Sequence, residues 1–388
     1  MASQLDDVVI VEAVRTPIGR RNGSLKDVRP DELMAQTLAE LVRRAGIDAS
    51  IVDDVILGCV AQIGEQGANV ARLAVLEAGF PVEVPAVSLD RMCSSGQQAV
   101  HFAAQAIASG QADVVIAGGV ESMSRIPMMA DYPATFSPRL LGRGDVEVST
   151  NQGLSADLIA ERWGLSRQEL DAYAFESHLR AGRATEAGVF ASQTMPVEIR
   201  TEGGELRQFA TDEGIRMPPS LERMALLAPA FGEGGTATAG NASQISDGAA
   251  ALLLTSRQKA AELGLRPRAR IRSTAVVGSD PLLMLTGPIP ATKKVLARAG
   301  MALGDIDVVE INEAFAAVVL AWAHELEPDM AKVNPNGGAI AHGHPLGATG
   351  AILLTKLLHE LERQDKAIGL QTMCVGFGQA TATVIERE

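Results

Sequence analysis

Blocks of apolar and polar residues alternate along the first part of the chain. Residues 8–14 form a nearly continuous apolar run of strand length, Val8-Val9-Ile10-Val11-Glu12-Ala13-Val14. Over 31–45, Leu33, Leu38, Leu41 and Val42 recur at helical spacing, and Gly46 follows where a helix stops. The series continues with a strand at 52–58, a helix at 69–78 closed by Gly79 and a strand at 84–89. After a turn over Arg91–Gly96 come a small-residue helix to about Ser109, closed by Gly110, and a strand at 114–117. Such alternation predicts an α/β fold, a parallel or mixed sheet covered by helices.

From about Ser124 to Gly240 the alternation gives way to Pro-, Arg- and Gly-rich stretches with isolated helices. One of these is announced by the capping box Ser166-Arg167-Gln168-Glu169. Structureless segments of this length are rare in compact domains unless they bind something, so the region reads as an insertion. Alternation resumes with a strand at 250–255, a helix at 257–263 and a strand at 269–277. The remainder then repeats the opening order. Ile306-Asp307-Val308-Val309-Glu310 echoes Val52-Asp53-Asp54-Val55-Ile56, the turn Gly343-His344-Pro345 with a helix over 346–363 echoes the turn and helix after Leu89, and 368–373 echoes 114–117. The expected organisation is two related domains, 1–268 and 269–388, with an insertion at about 123–245 in the first.

With 388 residues the chain exceeds one ordinary core, in keeping with that division. Hydrophobic residues make up 47% and aromatic residues only 3%, so the core is aliphatic and alanine-rich. A net charge of −13 argues against a nucleic-acid partner, though it leaves room for a local basic patch facing an anionic ligand. The sequence lacks an uninterrupted apolar run of the roughly 18 residues a membrane span needs, and Met1–Asp7 carries no signal pattern, so cytoplasmic residence is expected. Three cysteines, Cys59, Cys93 and Cys374, at wide spacing read as free thiols rather than a disulfide framework.

Four constellations carry chemistry. Cys93, in Asp90-Arg91-Met92-Cys93-Ser94-Ser95-Gly96-Gln97, lies between a strand and a helix, where orphan N–H groups favour a thiolate; the alternative is a small packed core residue. The stretch Asn334-Pro335-Asn336-Gly337-Gly338-Ala339-Ile340-Ala341-His342-Gly343-His344-Pro345-Leu346-Gly347-Ala348-Thr349-Gly350 offers either a phosphate cradle or a positioned imidazole base. It matches neither a G-x-G-x-x-G fingerprint nor a P-loop. Thr372-Met373-Cys374-Val375-Gly376-Phe377-Gly378 ends a strand with a second thiol able to act as acid or base. Glu310-Ile311-Asn312-Glu313-Ala314-Phe315 puts an amide and a carboxylate at a strand's C-terminal edge, with a helix cap as the plainer role for Asn312. No His, Cys and carboxylate set stands at zinc-like spacing.

Together these stretches resemble the thiolase family, from the first strand to the last. Glu12-Ala13-Val14-Arg15-Thr16-Pro17-Ile18-Gly19 is similar to the family's opening, and Ala239-Gly240-Asn241-Ala242-Ser243-Gln244-Ile245-Ser246-Asp247-Gly248-Ala249-Ala250 to its coenzyme-binding stretch. Asn312-Glu313-Ala314-Phe315, Gly343-His344-Pro345 and Cys374-Val375-Gly376 follow in the family's order. The resemblance implies two related βαβαβαββ halves packed as a layered αβαβα core with a loop-domain insertion. It implies Cys93 as acylated nucleophile, His344 as its base, Cys374 as the acid/base at the α-carbon and Asn312 as holder of a water. The N–H groups of Cys93 and Gly376 would form an oxyanion hole. It further implies coenzyme A as a co-substrate rather than a resident cofactor, acyl-CoA substrates, and a homodimer or homotetramer.

For the coenzyme, the same resemblance points to Arg216, Ser243, Phe231, Phe315, Arg223 and Asn151. Asn151-Gln152-Gly153 departs from a common His-Met-Gly run, and Arg223 from a common serine. Arg139, Arg143, Arg216 and Arg223 either supply positive charge for phosphates or are simply solvated. The expected activity is CoA-dependent cleavage of 3-oxoacyl-CoA. The alternatives are a biosynthetic acetoacetyl-CoA thiolase and a non-catalytic acyl-CoA or lipid carrier on the same scaffold. A ketosynthase-type condensing enzyme would carry a histidine or glutamate where Cys374 stands.

Overall fold

The computed structural model describes residues 4–142, 147–201 and 203–388; Arg143 lies outside them. One large sheet organises the molecule. Its strands are β1 (Val8–Arg15), β2 (Asp54–Gly58), β3 (Ala86–Leu89), β4 (Val114–Ser122), β5 (Ser246–Ser256), β6 (Ala269–Gly278), β7 (Val308–Ile311), β8 (Ile368–Val375) and β9 (Gln379–Arg387). They run in the order β7-β8-β9-β6-β1-β5-β4-β2-β3, with the short strand Gly19–Arg20 paired to β5. Pairing is parallel for β7/β8, β2/β3 and β2/β4 and antiparallel elsewhere.

The order is nearly palindromic about the β1/β6 seam, where Val9 and Ile10 face Arg270 and Ala269. Each half carries the same side-chain device at the start of its parallel pair. The Asp53 carboxylate accepts the N–H groups of Asp113 and Val114 at 2.7 and 2.9 Å. The Asp307 carboxylate accepts those of Ala367 and Ile368 at 3.0 and 2.9 Å. The repeat seen faintly in sequence is therefore a repeat in space, and the chain has the layered α/β architecture of two related halves.

Helices α1 (Pro30–Ala45) and α2 (Val70–Glu77) cover the outer face of the first half, sealing a core that includes Leu33, Leu38, Leu57 and Leu253. Helices α3 (Ser95–Ala108) and α8 (Leu346–Arg363) lie in the middle layer, their alanines and leucines packed on the opposite faces of β1, β4 and β5. Helix α6 (Pro288–Ala299) and α7 (Ala316–Leu326) cover the second half around Trp322. The insertion carries α4 (Gln152–Arg162), α5 (Arg167–Glu186) and the hairpin Val197–Arg200/Leu206–Phe209. The predicted capping box at Ser166 and Glu169 is present. Among the described residues no helix is long and apolar enough to cross a membrane.

Strand β9 turns Ala380, Ala382 and Val384 into the second-half core. Its other face carries Thr381 and Thr383, fully buried and bonded to Ser94, Gln97 and His101 of α3. The strand is thus buried on both faces, one by small aliphatic side chains and the other by a polar network.

Candidate active site

The middle-layer helices bring Cys93 and His344 into one region, and small residues make this possible. A Cβ on Gly96, three residues after Cys93, would lie 2.8 Å from the carbonyl oxygen of Gly347, three residues after His344. A Cβ on Gly347 would in turn lie 2.7 Å from Cys59 Cα, and one on Gly119 of β4 would collide with the Gly347 carbonyl. The first turns of α3 and α8 thus touch backbone to backbone, above β2 and β4. The buried carboxylate of Glu121 fixes the contact by accepting N–H groups from Val60 (2.9 Å), Ala61 (3.2 Å) and Gly347 (2.8 Å), with Gln66 Nε2 at 2.7 Å.

Cys93 precedes the N-cap residue Ser94 and follows Met92, a non-glycine residue at φ +48°. That backbone conformation costs energy. The thiol is 2% exposed, and burial pushes its pKa up to about 11 against the downward pull of hydrogen bonds from the Gln152 side chain and the Gly376 and Cys93 backbone. The sequence expectation that a helix terminus would favour the thiolate is corrected here, because desolvation outweighs the N–H groups. At rest Cys93 is a neutral thiol.

Cys374 sits on β8, fully buried, with its thiol raised by burial and by the neighbouring Cys93. The Gly376 backbone, just past β8, is close enough to the Cys93 thiol to lower its pKa. Burial lowers His344 to about 4, so its imidazole is neutral. The tautomer follows from its neighbours. The Thr349 hydroxyl donates to Pro345 O at 2.7 Å, so its oxygen accepts from His344 Nδ1–H, also at 2.7 Å, and the lone pair stays on Nε2. Gly343, at φ +115°, makes the turn into His344, and a Cβ there would collide with Ser246 Oγ.

Asn312 is not a helix cap, since α7 begins only at Ala316 with Phe315 at the cap position. Its backbone N–H instead bonds Thr372 O on the Cys374 strand at 3.1 Å, and its side-chain nitrogen lies 3.4 Å from His344 Nε2. Asn312 Oδ1 is buried and has no hydrogen-bond partner among the described residues, on the amide whose nitrogen faces His344.

The coenzyme candidates divide. Phe231 and Phe315 stack edge to face, 5.6 Å between centroids, and a Cβ on Gly153 would collide with the Phe231 ring. Ser243 stands beside them, its N–H on Ala314 O at 2.9 Å. The Asn151 side chain is occupied in capping α4, accepting from Gly153 and Leu154 N–H. Arg139, Arg216 and Arg223 are exposed.

Neighbouring residues hold the site in place. Glu313 accepts from Tyr173, Ser177, Asn334 and the Ile340 N–H, tying the insertion to the loop before His344. Tyr132 is half-buried, close enough to Cys93 for its hydroxyl to be raised, after burial, by that thiol. Of the other histidines, His101, His178 and His359 are buried packing residues, and His342 bridges Asp212 and Asn336 O. Cys59 is a packed core thiol, fully buried.

Sequence and fold both have close counterparts among known proteins. The thiolase N-terminal domain family matches residues 8–258, and the thiolase C-terminal domain family matches 265–387. The steroid 3-ketoacyl-CoA thiolase FadA6 of Mycobacterium tuberculosis is 52% identical, covering 99% of this chain and 95% of that protein. A 3-ketoacyl-CoA thiolase of Citrobacter koseri is 46% identical over 99% of both. The structure of a Bacillus anthracis acetyl-CoA acetyltransferase superposes with a TM-score of 0.91 at 41% identity, over the full length of both chains. The chain belongs to the thiolase family.

Proposed function

We propose that the protein is an acyltransferase that cleaves 3-oxoacyl-CoA thioesters with coenzyme A as co-substrate, through an acyl group carried on Cys93. The observation that carries this reading is the backbone contact between the first turns of α3 and α8, which gathers one thiol and one neutral imidazole beside the strand bearing the second thiol. Nε2 of His344 takes the Cys93 proton as the sulfur attacks the 3-keto carbon. The C2–C3 bond then breaks, its electron pair passes into the enolate of acetyl-CoA, and Cys374 S–H protonates C2. Acetyl-CoA departs, the thiol of a fresh CoA attacks the Cys93 thioester, and its proton returns the site to rest as the shortened acyl-CoA leaves.

Two stations receive negative oxygen in this scheme. The N–H groups of Cys93 and Gly376 serve the tetrahedral intermediate. A water held by the free Asn312 Oδ1, together with His344, serves the thioester oxygen. Phe231, Phe315 and Ser243 form the wall for pantetheine, while Arg216 and Arg223 are the cations available to the phosphates and Asn151 acts there through the α4 cap.

In this reading the chain works as domains 1–268 and 269–388 in a cytoplasmic homodimer or homotetramer. The edge strand β3, with exposed Val87, and the neighbouring exposed Leu76 of α2 and Val82 offer an apolar margin for self-association. The reaction is tested by giving the purified protein a panel of 3-oxoacyl-CoA thioesters with CoA, then measuring acetyl-CoA release and the mass of the Cys93 peptide. Release together with an acyl adduct on that peptide is expected. No cleavage of any panel member and no adduct would return the carrier alternative.

A further inference from the structure

We infer that the side-chain amide of Gln152 is a third hydrogen-bond donor at the reacting sulfur, acting with the backbone N–H groups of Cys93 and Gly376 as part of the catalytic machinery. Three features carry this. Gln152 is the first residue of α4, and the Asn151 cap fixes that helix end by accepting the N–H groups of Gly153 and Leu154 at 3.0 and 3.3 Å. The Gln152 amide is close enough to the Cys93 thiol to act on it as a donor and lower its pKa. Its Nε2 would lie 3.3 Å from a Cβ placed on Gly376, so the missing side chain at 376 leaves the space that the amide uses.

An amide N–H aimed at sulfur favours the thiolate over the thiol, because donors stabilise the charged acceptor more than the neutral one. Here that assistance counts, since Cys93 must ionise in a site where burial opposes it. The other titratable groups around the sulfur are Asp90, from the preceding turn, Tyr132 of the insertion, Cys374 on β8, and His344 across the α3–α8 contact. Among these Asp90 raises the Cys93 thiol. Gln152 therefore offsets part of burial without adding charge, and its amide stays in place when the sulfur carries an acyl group.

The role rests on the acyl-Cys93 reading, but its test does not depend on turnover. Cys93 alkylation by iodoacetamide would be followed by peptide mass mapping over pH 7–10 for the wild type, Gln152→Met and Gln152→Glu. Tm and near-UV circular dichroism would establish that each variant is folded. For Q152M the alkylation rate at a given pH should fall about tenfold, which is one unit of apparent pKa. Q152E should fall further, since a carboxylate opposes the thiolate. In parallel, kcat for cleavage should drop more than KM rises. Equal alkylation profiles for wild type and Q152M, or a Q152E faster than wild type, would overturn the role. If the wild type cleaves no 3-oxoacyl-CoA while Q152M still slows alkylation, the enzymatic reading fails and the contact with sulfur stands.

Discussion

Replacing Thr349 by valine tests the assignment of His344 as a base more directly than replacing the histidine. Thr349 is 2% exposed, and valine matches its shape while removing the hydroxyl. The helix end loses little, because Pro345 O still accepts the N–H groups of Ala348 (3.0 Å) and Thr349 (2.9 Å). His344 loses the acceptor that Nδ1 has among the described residues. The ring is then left with a buried, unpaired N–H or must move its proton to Nε2, where a rotated Asn312 amide could accept it through Oδ1. Either outcome weakens the base. A buried donor without a partner costs about 1–3 kcal/mol, which corresponds to a loss of roughly 5- to 150-fold in kcat/KM. The loss belongs in the upper part of that range, because Nδ1–H must also support the imidazolium formed when Cys93 is deprotonated. The assay is steady-state cleavage of a 3-oxoacyl-CoA with saturating CoA, with Thr349→Ser as the variant that keeps the hydroxyl. A folded T349V within about twofold of wild type, or a T349S as impaired as T349V, would refute the tautomer argument.

Gly153→Ala should push Phe231 off α4, since the new Cβ collides with the ring; KM for CoA should rise about tenfold with kcat nearly kept, a uniform-binding loss read from steady-state kinetics. His101, His178, His344 and His359 are held by burial at about 3, 4, 4 and 4, below the ordinary 6.5. Because the unfolded chain then binds more protons than the fold, their stabilisation is complete above about pH 6.5 and disappears as pH falls toward 4. Glu310, raised to about 7 by burial, opposes this in part. The urea midpoint should drop steeply between pH 6.5 and 5, and less steeply in His359→Gln. Val87→Lys on the β3 edge should shift sedimentation toward the monomer while leaving the far-UV spectrum unchanged.

Much of this site was legible in the chain because its parts are local motifs. The Cys93 turn, the Gly343-His344-Pro345 turn and the Cys374 strand end each combine a reactive side chain with small residues, and small residues are what close backbone contact requires. Gly96 and Gly347 show the limit of that reading. Gly96 read as the end of a turn and Gly347 as a residue of a helix, whereas their shared task is to let two helix ends touch, which needs the partner's coordinates. Helix α8 was readable to its ends because its apolar stripe is long, and the last strand was not, because its apolar positions Ala380 and Ala382 are small and its other face buries the hydroxyls of Thr381 and Thr383.

The thiol's ionisation lay further from view, and it bears most on mechanism. Position relative to a helix argued for a thiolate, but ionisation depends on water, and the same backbone approach that gathers the site also dries it. A permanently ionised Cys93 would need a nearby cation, and burial keeps His344 from being one. A neutral thiol beside a neutral imidazole defers charge separation until substrate arrives, when the oxyanion donors and the Gln152 amide can share it. The resting site therefore stays uncharged, and the polar groups around it acquire their full strength only along the reaction.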